Sequence, residues 1–140
     1  MTNISVFQAV QANIEMNKEK IVNRYIEKSE ENYKLYEHLN SIDSFIEWQI
    51  VALFYSALCH VKAYLYNKNS LDLNSINSHD DIRFYLINES QAKRIGVFRY
   101  YDILYKEGRD ARYNCIKTTK ERLFATLKNY QKVKELIKIN

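Results

Sequence analysis

Proline is absent from this chain, and glycine occurs only at Gly96 and Gly108. Almost nothing in the sequence forbids helix, and the Asn-Gly, Asp-Gly and Gly-Gly pairs on which tight hairpins depend are missing. Cysteine is scarce too. Cys59 and Cys115 are too few for a secreted disulfide framework. The segment from Met1 to Val10 lacks a basic region followed by an apolar signal core, so the expected location is a reducing cytoplasm. The longest uncharged run, between Glu47 and Lys62, falls short of the roughly 18 to 20 apolar residues that span a bilayer, and it contains Gln49 and His60. No membrane contact is expected. Glycine-rich phosphate loops, Gly-x-Ser-x-Gly elbows, Glu-x-x-His pairs and Cys-x-x-Cys pairs are all missing. Neither a metal nor a cofactor is therefore expected.

What is present is helical patterning. A chain of 140 residues fits one domain, residues 1–140. Folding at that size buries roughly 65 to 70% of the surface the unfolded chain exposes. The expected class is all-α, an antiparallel bundle of about five helices. From Ile4 to about Leu39, apolar residues at Val6, Val10, Ile14, Ile21, Tyr25, Tyr33 and Tyr36 have the spacing of an amphipathic helix, with a break near Asn17. Ser44 and Glu47 form a capping box that opens a central helix running to Tyr66. Ile46, Ile50, Leu53, Phe54, Ala57, Leu58, Val61 and Leu65 make one stripe of that helix. Trp48, Val51, Ala52, Tyr55, Cys59 and Ala63 widen it, so neighbours must cover most of its sides.

The Asn- and Ser-rich stretch from Asn67 to Asn77 reads as a loop. Ser78 and Asp81 then cap a short helix ending near Asn88. A fourth helix begins after Ser90 or Ile95 and runs to about Tyr113. Its seam is Val97, Tyr101, Leu104, Gly108, Ala111 and, by the same spacing, Cys115. Large residues give way to small ones along that seam, which predicts close helix approach at Gly108. Thr118 and Glu121 cap a terminal helix with Leu123, Leu127, Tyr130, Val133 and Ile137 facing inward.

A net charge of +4 and a pI near 8.9 are mildly basic. From Lys117 to Asn140 there are seven lysines and arginines against two glutamates. That helix either solubilises the bundle or touches a nucleic-acid backbone.

Four residues stand out as a ligand-binding set: His79, Arg109, Arg112 and Tyr113. His79 falls in the first turn of a helix, where exposed amides favour anions. Arg109, Arg112 and Tyr113, at offsets of zero, three and four, share one helix face beside Gly108. The two guanidiniums either lock the bundle through carboxylates such as Asp102 and Asp110, or offer a bidentate phosphate site. His60, inside the apolar central helix, is either a core histidine bonded to a neighbouring carbonyl or hydroxyl, or a catalytic group. His79, His60 and Arg109 are the catalytic candidates if the three converge in space.

Three segments together resemble the HEPN family, helical domains often encoded beside nucleotidyltransferases. Residues 54–65, Phe-Tyr-Ser-Ala-Leu-Cys-His-Val-Lys-Ala-Tyr-Leu, resemble its aromatic-rich second helix. Residues 78–82, Ser-His-Asp-Asp-Ile, are similar to its Ser-His turn. Residues 104–113, Leu-Tyr-Lys-Glu-Gly-Arg-Asp-Ala-Arg-Tyr, resemble its Leu-x-x-x-Arg-x-x-Ala-x-Tyr pattern, with Arg112 where an aspartate is frequent. The resemblance covers a core of about residues 44–130. It implies an antiparallel bundle, usually dimeric, associated with RNA or nucleotides. Many catalytic members are metal-independent endoribonucleases carrying Arg, four to six residues, then His. This chain departs from that motif: no arginine stands five to seven residues before His38, His60 or His79.

Three functions follow as expectations. The first is an HEPN-like module that binds RNA or a nucleotide through His79, Arg109, Arg112 and Tyr113. The second is an interaction module that forms a homodimer or pairs with a nucleotidyltransferase, for which twelve tyrosines supply suitable surface. The third is a metal-independent ribonuclease of a toxin–antitoxin or antiviral defence system, with a rearranged site.

Overall fold

A helix apolar on nearly every side dictates what surrounds it, and here it sits at the centre. A computed structural model describes residues 5–69, 71 and 75–139. Among them the regular elements are six helices and no strand: α1 (Val6–Ser41), α2 (Ile46–Lys68), α3 (His79–Asn88), α4 (Ser90–Ile95), α5 (Val97–Arg112) and α6 (Lys120–Leu136). The expected all-α bundle is present, with one helix more than about five. α2 packs against α1, α5, α6 and α3, while α5 also packs against α6. Ile50, Leu53, Ala57, Val61, Ala63, Tyr64 and Leu65 of α2 have no exposed surface at all. No helix among the described residues is long and apolar enough to cross a membrane.

The α1–α2 hairpin closes on polar atoms as well as apolar ones. The Ser29 hydroxyl donates to the Ser56 carbonyl at 2.8 Å, and the Ser56 hydroxyl donates to the Ser29 carbonyl at 2.7 Å. With its proton committed, Ser56 Oγ accepts from the Tyr130 hydroxyl of α6 at 2.9 Å. These small buried residues let three helices approach, and each hydroxyl is satisfied, as burial requires.

Several boundaries differ from the expectation, each for a physical reason. α1 is unbroken at Asn17, because asparagine costs a helix only a few tenths of a kcal/mol to about 0.7 kcal/mol. Its start at Ile4 lies outside the described residues. Ser5 and Gln8 form the capping box that opens α1. The Ser44–Glu47 box does not form. The α1–α2 turn reverses through Asp43 and Phe45, both at positive φ, and the Ser44 hydroxyl donates instead to the Ile42 carbonyl. Gln49 then reaches back to the Ser44 carbonyl at 2.9 Å. The Ser78–Asp81 box is formed. Gly96, in the left-handed region at φ 71°, splits the fourth helix into α4 and α5, so both expected starting points are used. α6 is capped by Thr119, one residue after Thr118, and Cys115 is exposed outside the α5 seam. Of the Asn67–Asn77 loop, Asn67 and Lys68 remain helical, and Ser70 and residues 72–74 lie outside the described residues.

α1 has 36 residues and α2 has 23, so at 1.5 Å per residue α1 is about 20 Å the longer. Its first turns consequently project past the bundle. Val6, Phe7, Val10, Ile14 and Met16 are exposed there, although three of them fit an inward-facing spacing. Trp48, expected on the covered surface of α2, is half exposed.

Candidate functional site

The site begins at the tightest helix crossing. A Cβ on Gly108 would stand 2.8 Å from Phe54 Cδ2, 2.9 Å from its Cγ and 3.1 Å from its Cβ. Only a hydrogen fits between α5 and α2 at this point, as the large-to-small seam predicted. Replacing Gly108 by Ala should gain about 1 kcal/mol of helix propensity. It should lose more, because the buried Phe54 ring has no room to swing aside and overpacking costs about 1 to 3 kcal/mol, which leaves a net loss of up to about 2 kcal/mol. Thermal unfolding by circular dichroism should show a Tm several degrees lower in Gly108→Ala; a higher Tm would mean that the crossing is loose.

Beside this crossing lies a cavity of about 240 Å³, lined by Val51, Phe54, Tyr55, His79, Tyr105, Gly108, Arg109, Arg112 and Tyr113. All four residues of the expected ligand-binding set are among them. α5 presents Tyr105, Arg109, Arg112 and Tyr113 through its one-turn periodicity, and the Ser78 cap fixes where His79 enters α3. α2 supplies Val51, Phe54 and Tyr55 from its widened apolar surface.

Aromatic rings shape the interior. The His79 imidazole lies 4.0 Å, centroid to centroid, from the Tyr105 ring and 5.7 Å from Phe54. Its Nδ1 is 3.0 Å from the hydroxyl of Tyr101, a residue with no exposed surface. Desolvation first, then the positive charges of Lys62 and Arg109, hold the His79 pKa below the ordinary histidine value, against an opposing pull from Asp80. His79 is neutral at pH 7.

The two arginines sit on tyrosines. Arg109 Nη1 donates to the Tyr105 hydroxyl at 3.0 Å, and its guanidinium lies 5.7 and 5.8 Å from the Tyr105 and Tyr113 ring centroids. Arg112 donates to the Tyr55 hydroxyl and lies 5.7 Å from the Tyr55 ring and 5.1 Å from the Tyr113 ring. Among the described residues no carboxylate pairs with either guanidinium. The carboxylates expected to lock them are taken. Asp110 pairs with Arg122 at 3.2 Å, and Asp102 with Lys106 at 3.2 Å and Arg83 at 3.5 Å. Arg122, which also holds Glu107 at 2.9 Å, is the strut between α5 and α6. The alternative in which Arg109 and Arg112 brace the bundle through Asp102 and Asp110 is thereby corrected.

No protein-family model, curated protein or solved structure matches the chain. The chemistry of the cavity is therefore read from its own atoms. Two guanidiniums without a carboxylate partner, each giving one N–H to a tyrosine hydroxyl, keep further N–H donors for an acceptor-rich anion. The apolar floor of Val51, Phe54 and Gly108 suits a flat ring. A void of about 150 Å³ admits one benzene ring, so this one has room for a single base.

His60 is elsewhere. It is buried on α2, its Nε2 donates to the Ile137 carbonyl at 2.7 Å, and its Nδ1 lies 3.4 Å from Lys134 Nζ. Burial first, and the Lys134 charge after it, bring its pKa down to about 4, despite the opposing Ile137 hydrogen bond. The convergence of His60 with His79 and Arg109 does not occur; His60 is the carbonyl-bonded core histidine of the alternative reading. At the start of α3 the Asp81 amide donates to Ser78 Oγ, and the Asp81 carboxylate, accepting from the Asn77 and Ser78 amides, already places a negative charge there. His79 contributes through its ring.

Sequence reasoning missed Tyr55, Tyr101 and Tyr105. Two of them were within reach: Tyr101, Tyr105, Arg109 and Tyr113 follow one another at intervals of four, a ladder up one face of α5. Tyr55, 57 residues before its partner Arg112, gives no such signal. The basic last helix is less bare than its composition suggests. Lys120 pairs with Asp43, Arg122 with Glu107 and Asp110, Lys132 with Glu135, and Lys134 meets His60.

Proposed function

We propose that the chain is an HEPN-like helical module that binds RNA or a nucleotide in the tyrosine-lined cavity, with Arg109, Arg112 and His79 on the phosphate and Tyr113 against the base. The observation that carries this reading is the pair of guanidiniums free of carboxylates beside a tyrosine-lined recess of single-base size. Exposed Tyr113 offers the kind of stacking platform that single-stranded nucleic acids use. The reading is of binding, because a cleavage site at this cavity would have His79 as its only histidine among the described lining residues.

Fluorescence anisotropy with a labelled single-stranded RNA tests it. Two phosphate contacts on a single strand give a log–log salt slope of about −1.4, so the affinity should fall about sevenfold between 50 and 200 mM salt. A flat salt response, or no binding at 50 mM, would exclude the reading.

A second reading, an interaction module forming a homodimer or pairing with a nucleotidyltransferase, is favoured by a separate feature. The projecting start of α1 carries Val6, Phe7, Val10, Ile14 and Met16 on its surface. Residues 5–17 are exposed throughout, and an isolated helix of that length is marginal in water without a partner. Sedimentation equilibrium at tens of micromolar should then give twice the 16.8 kDa chain mass; a monomer would count against the homodimer.

A further inference from the structure

The deepest polar contact of the cavity belongs to a residue outside its lining. Tyr101 has no exposed surface, and among the described residues its hydroxyl has one hydrogen-bond partner, His79 Nδ1 at 3.0 Å. Two arrangements of the proton are possible in principle. If Nδ1 carries it and donates to the Tyr101 oxygen, the buried hydroxyl proton has no acceptor. If Tyr101 donates to Nδ1, both groups are satisfied and the imidazole proton sits on Nε2. A buried donor left without an acceptor disfavours the first arrangement by roughly ten- to a hundredfold. The ring has little freedom to escape the choice, since it is held 4.0 Å from the Tyr105 ring and 5.7 Å from Phe54.

We propose that Tyr101 is the positioning residue of this site: its buried hydroxyl donates to His79 Nδ1 and fixes the imidazole as the Nε2–H tautomer, making His79 a neutral hydrogen-bond donor to a phosphate oxygen. The last clause rests on the nucleotide reading above; the tautomer does not. Charged imidazolium is disfavoured at neutral pH by burial and by Lys62 and Arg109. With Nδ1 committed to Tyr101, Nε2 is the ring nitrogen left for a ligand in the cavity that His79 lines. The polar complement of the recess then consists of donors. Arg109 and Arg112 donate, and the Tyr105 and Tyr55 hydroxyls, which accept from them, keep their own protons to give. Such a set selects a ligand rich in acceptors and poor in donors, which is the character of a phosphate ester. It also assigns His79 away from base catalysis, because an Nε2–H has no lone pair with which to take the proton of a 2′-hydroxyl.

Long-range proton–nitrogen correlation spectra of the ¹⁵N-labelled full chain near pH 7.5, without ligand, read the tautomer directly. His79 is assigned by the loss of its signals in His79→Gln. The wild type should show a protonated, pyrrole-type Nε2 and an unprotonated, pyridine-type Nδ1. In Tyr101→Phe, which keeps the buried ring, the two nitrogen shifts should move toward each other as the tautomers interchange. A protonated Nδ1 in the wild type, or identical His79 shifts in Tyr101→Phe, would overturn the assignment. With AMP as probe, affinity should fall about three- to tenfold in Tyr101→Phe while its circular dichroism spectrum is unchanged. A wild type with the stated tautomer that binds neither AMP nor single-stranded RNA at low salt would overturn the phosphate role and the nucleotide reading, while leaving the hold of Tyr101 on the tautomer intact.

Discussion

The double variant Arg109→Ala, Arg112→Ala should bind single-stranded RNA about a hundredfold more weakly than the wild type at 50 mM salt, with its fold intact. Each guanidinium is exposed and rests on tyrosine, so its removal uncovers no buried charge. A charge-assisted hydrogen bond contributes about 1.5 to 3 kcal/mol, and two of them amount to two or more orders of magnitude in affinity. The salt dependence should disappear with the arginines, the log–log slope losing about 1.4. Replacing both by lysine separates charge from geometry. Lysine keeps the countercharge but not the planar fork or the guanidinium hydrogen bonds to the Tyr55 and Tyr105 hydroxyls. Arg109→Lys, Arg112→Lys should therefore retain most of the salt slope while losing roughly tenfold in affinity. Wild-type affinity in the alanine variant, measured by anisotropy, would place any RNA contact elsewhere, with the exposed lysines of α6 the next surface to test.

Acid should destabilise the bundle through His60 as pH falls below about 6.5. The folded pKa of His60, about 4, is depressed from an ordinary 6.5 because the ring is buried, and protonating Nδ1 would set a second cation 3.4 Å from Lys134. The unfolded chain binds that proton from pH 6.5 downward, while the folded chain refuses it until about pH 4. Stability is thus fully present above pH 6.5 and is lost as pH falls through that window, by about 3 kcal/mol in all. That is a Tm drop of roughly 10 °C for a chain of this size. The His60→Gln variant should start less stable at pH 7.5 and show a much smaller drop between pH 6.5 and 4.5. What remains belongs to His79, which is held below its ordinary value in the same direction. The carboxylate of Glu89, which caps α4 through the Ala92 amide and accepts from Tyr64, is held below 4.5 and loses its contribution only at lower pH. Equal pH profiles for wild type and His60→Gln would contradict this account of His60.

The contrast between the two histidines shows what linear patterning can and cannot convey. The α5 seam was legible because size alternates with helical period, and Gly108 meets Phe54 where the seam becomes small. The grouping of Arg109, Arg112 and Tyr113 was legible for the same reason, since offsets of three and four share a face on any helix. His79 reaches that group only through tertiary packing against Phe54 and Tyr105, rings from two other helices. No local spacing encodes this. The fate of the carboxylates was equally hidden: Asp110 stands beside Arg109 in sequence, yet Arg122 of α6 takes it because α5 and α6 pack side by side. The first turns of α1 misled in the opposite sense. Val6, Val10 and Ile14 have a buried spacing, but α2 is too short to cover them. Turn geometry was the other weak point. Phe45, an unusual residue for the left-handed region, takes the N-cap position that the Ser44–Glu47 pattern appeared to claim for a side-chain cap.

The most direct test of the cavity is a backbone amide titration of the ¹⁵N-labelled chain with a short 5′-phosphorylated single-stranded RNA, followed residue by residue. The account predicts saturable shift changes confined to Val51–Tyr55, the start of α3 at His79 and Tyr105–Tyr113. Changes centred on the α6 lysines, with those three segments silent, would contradict it.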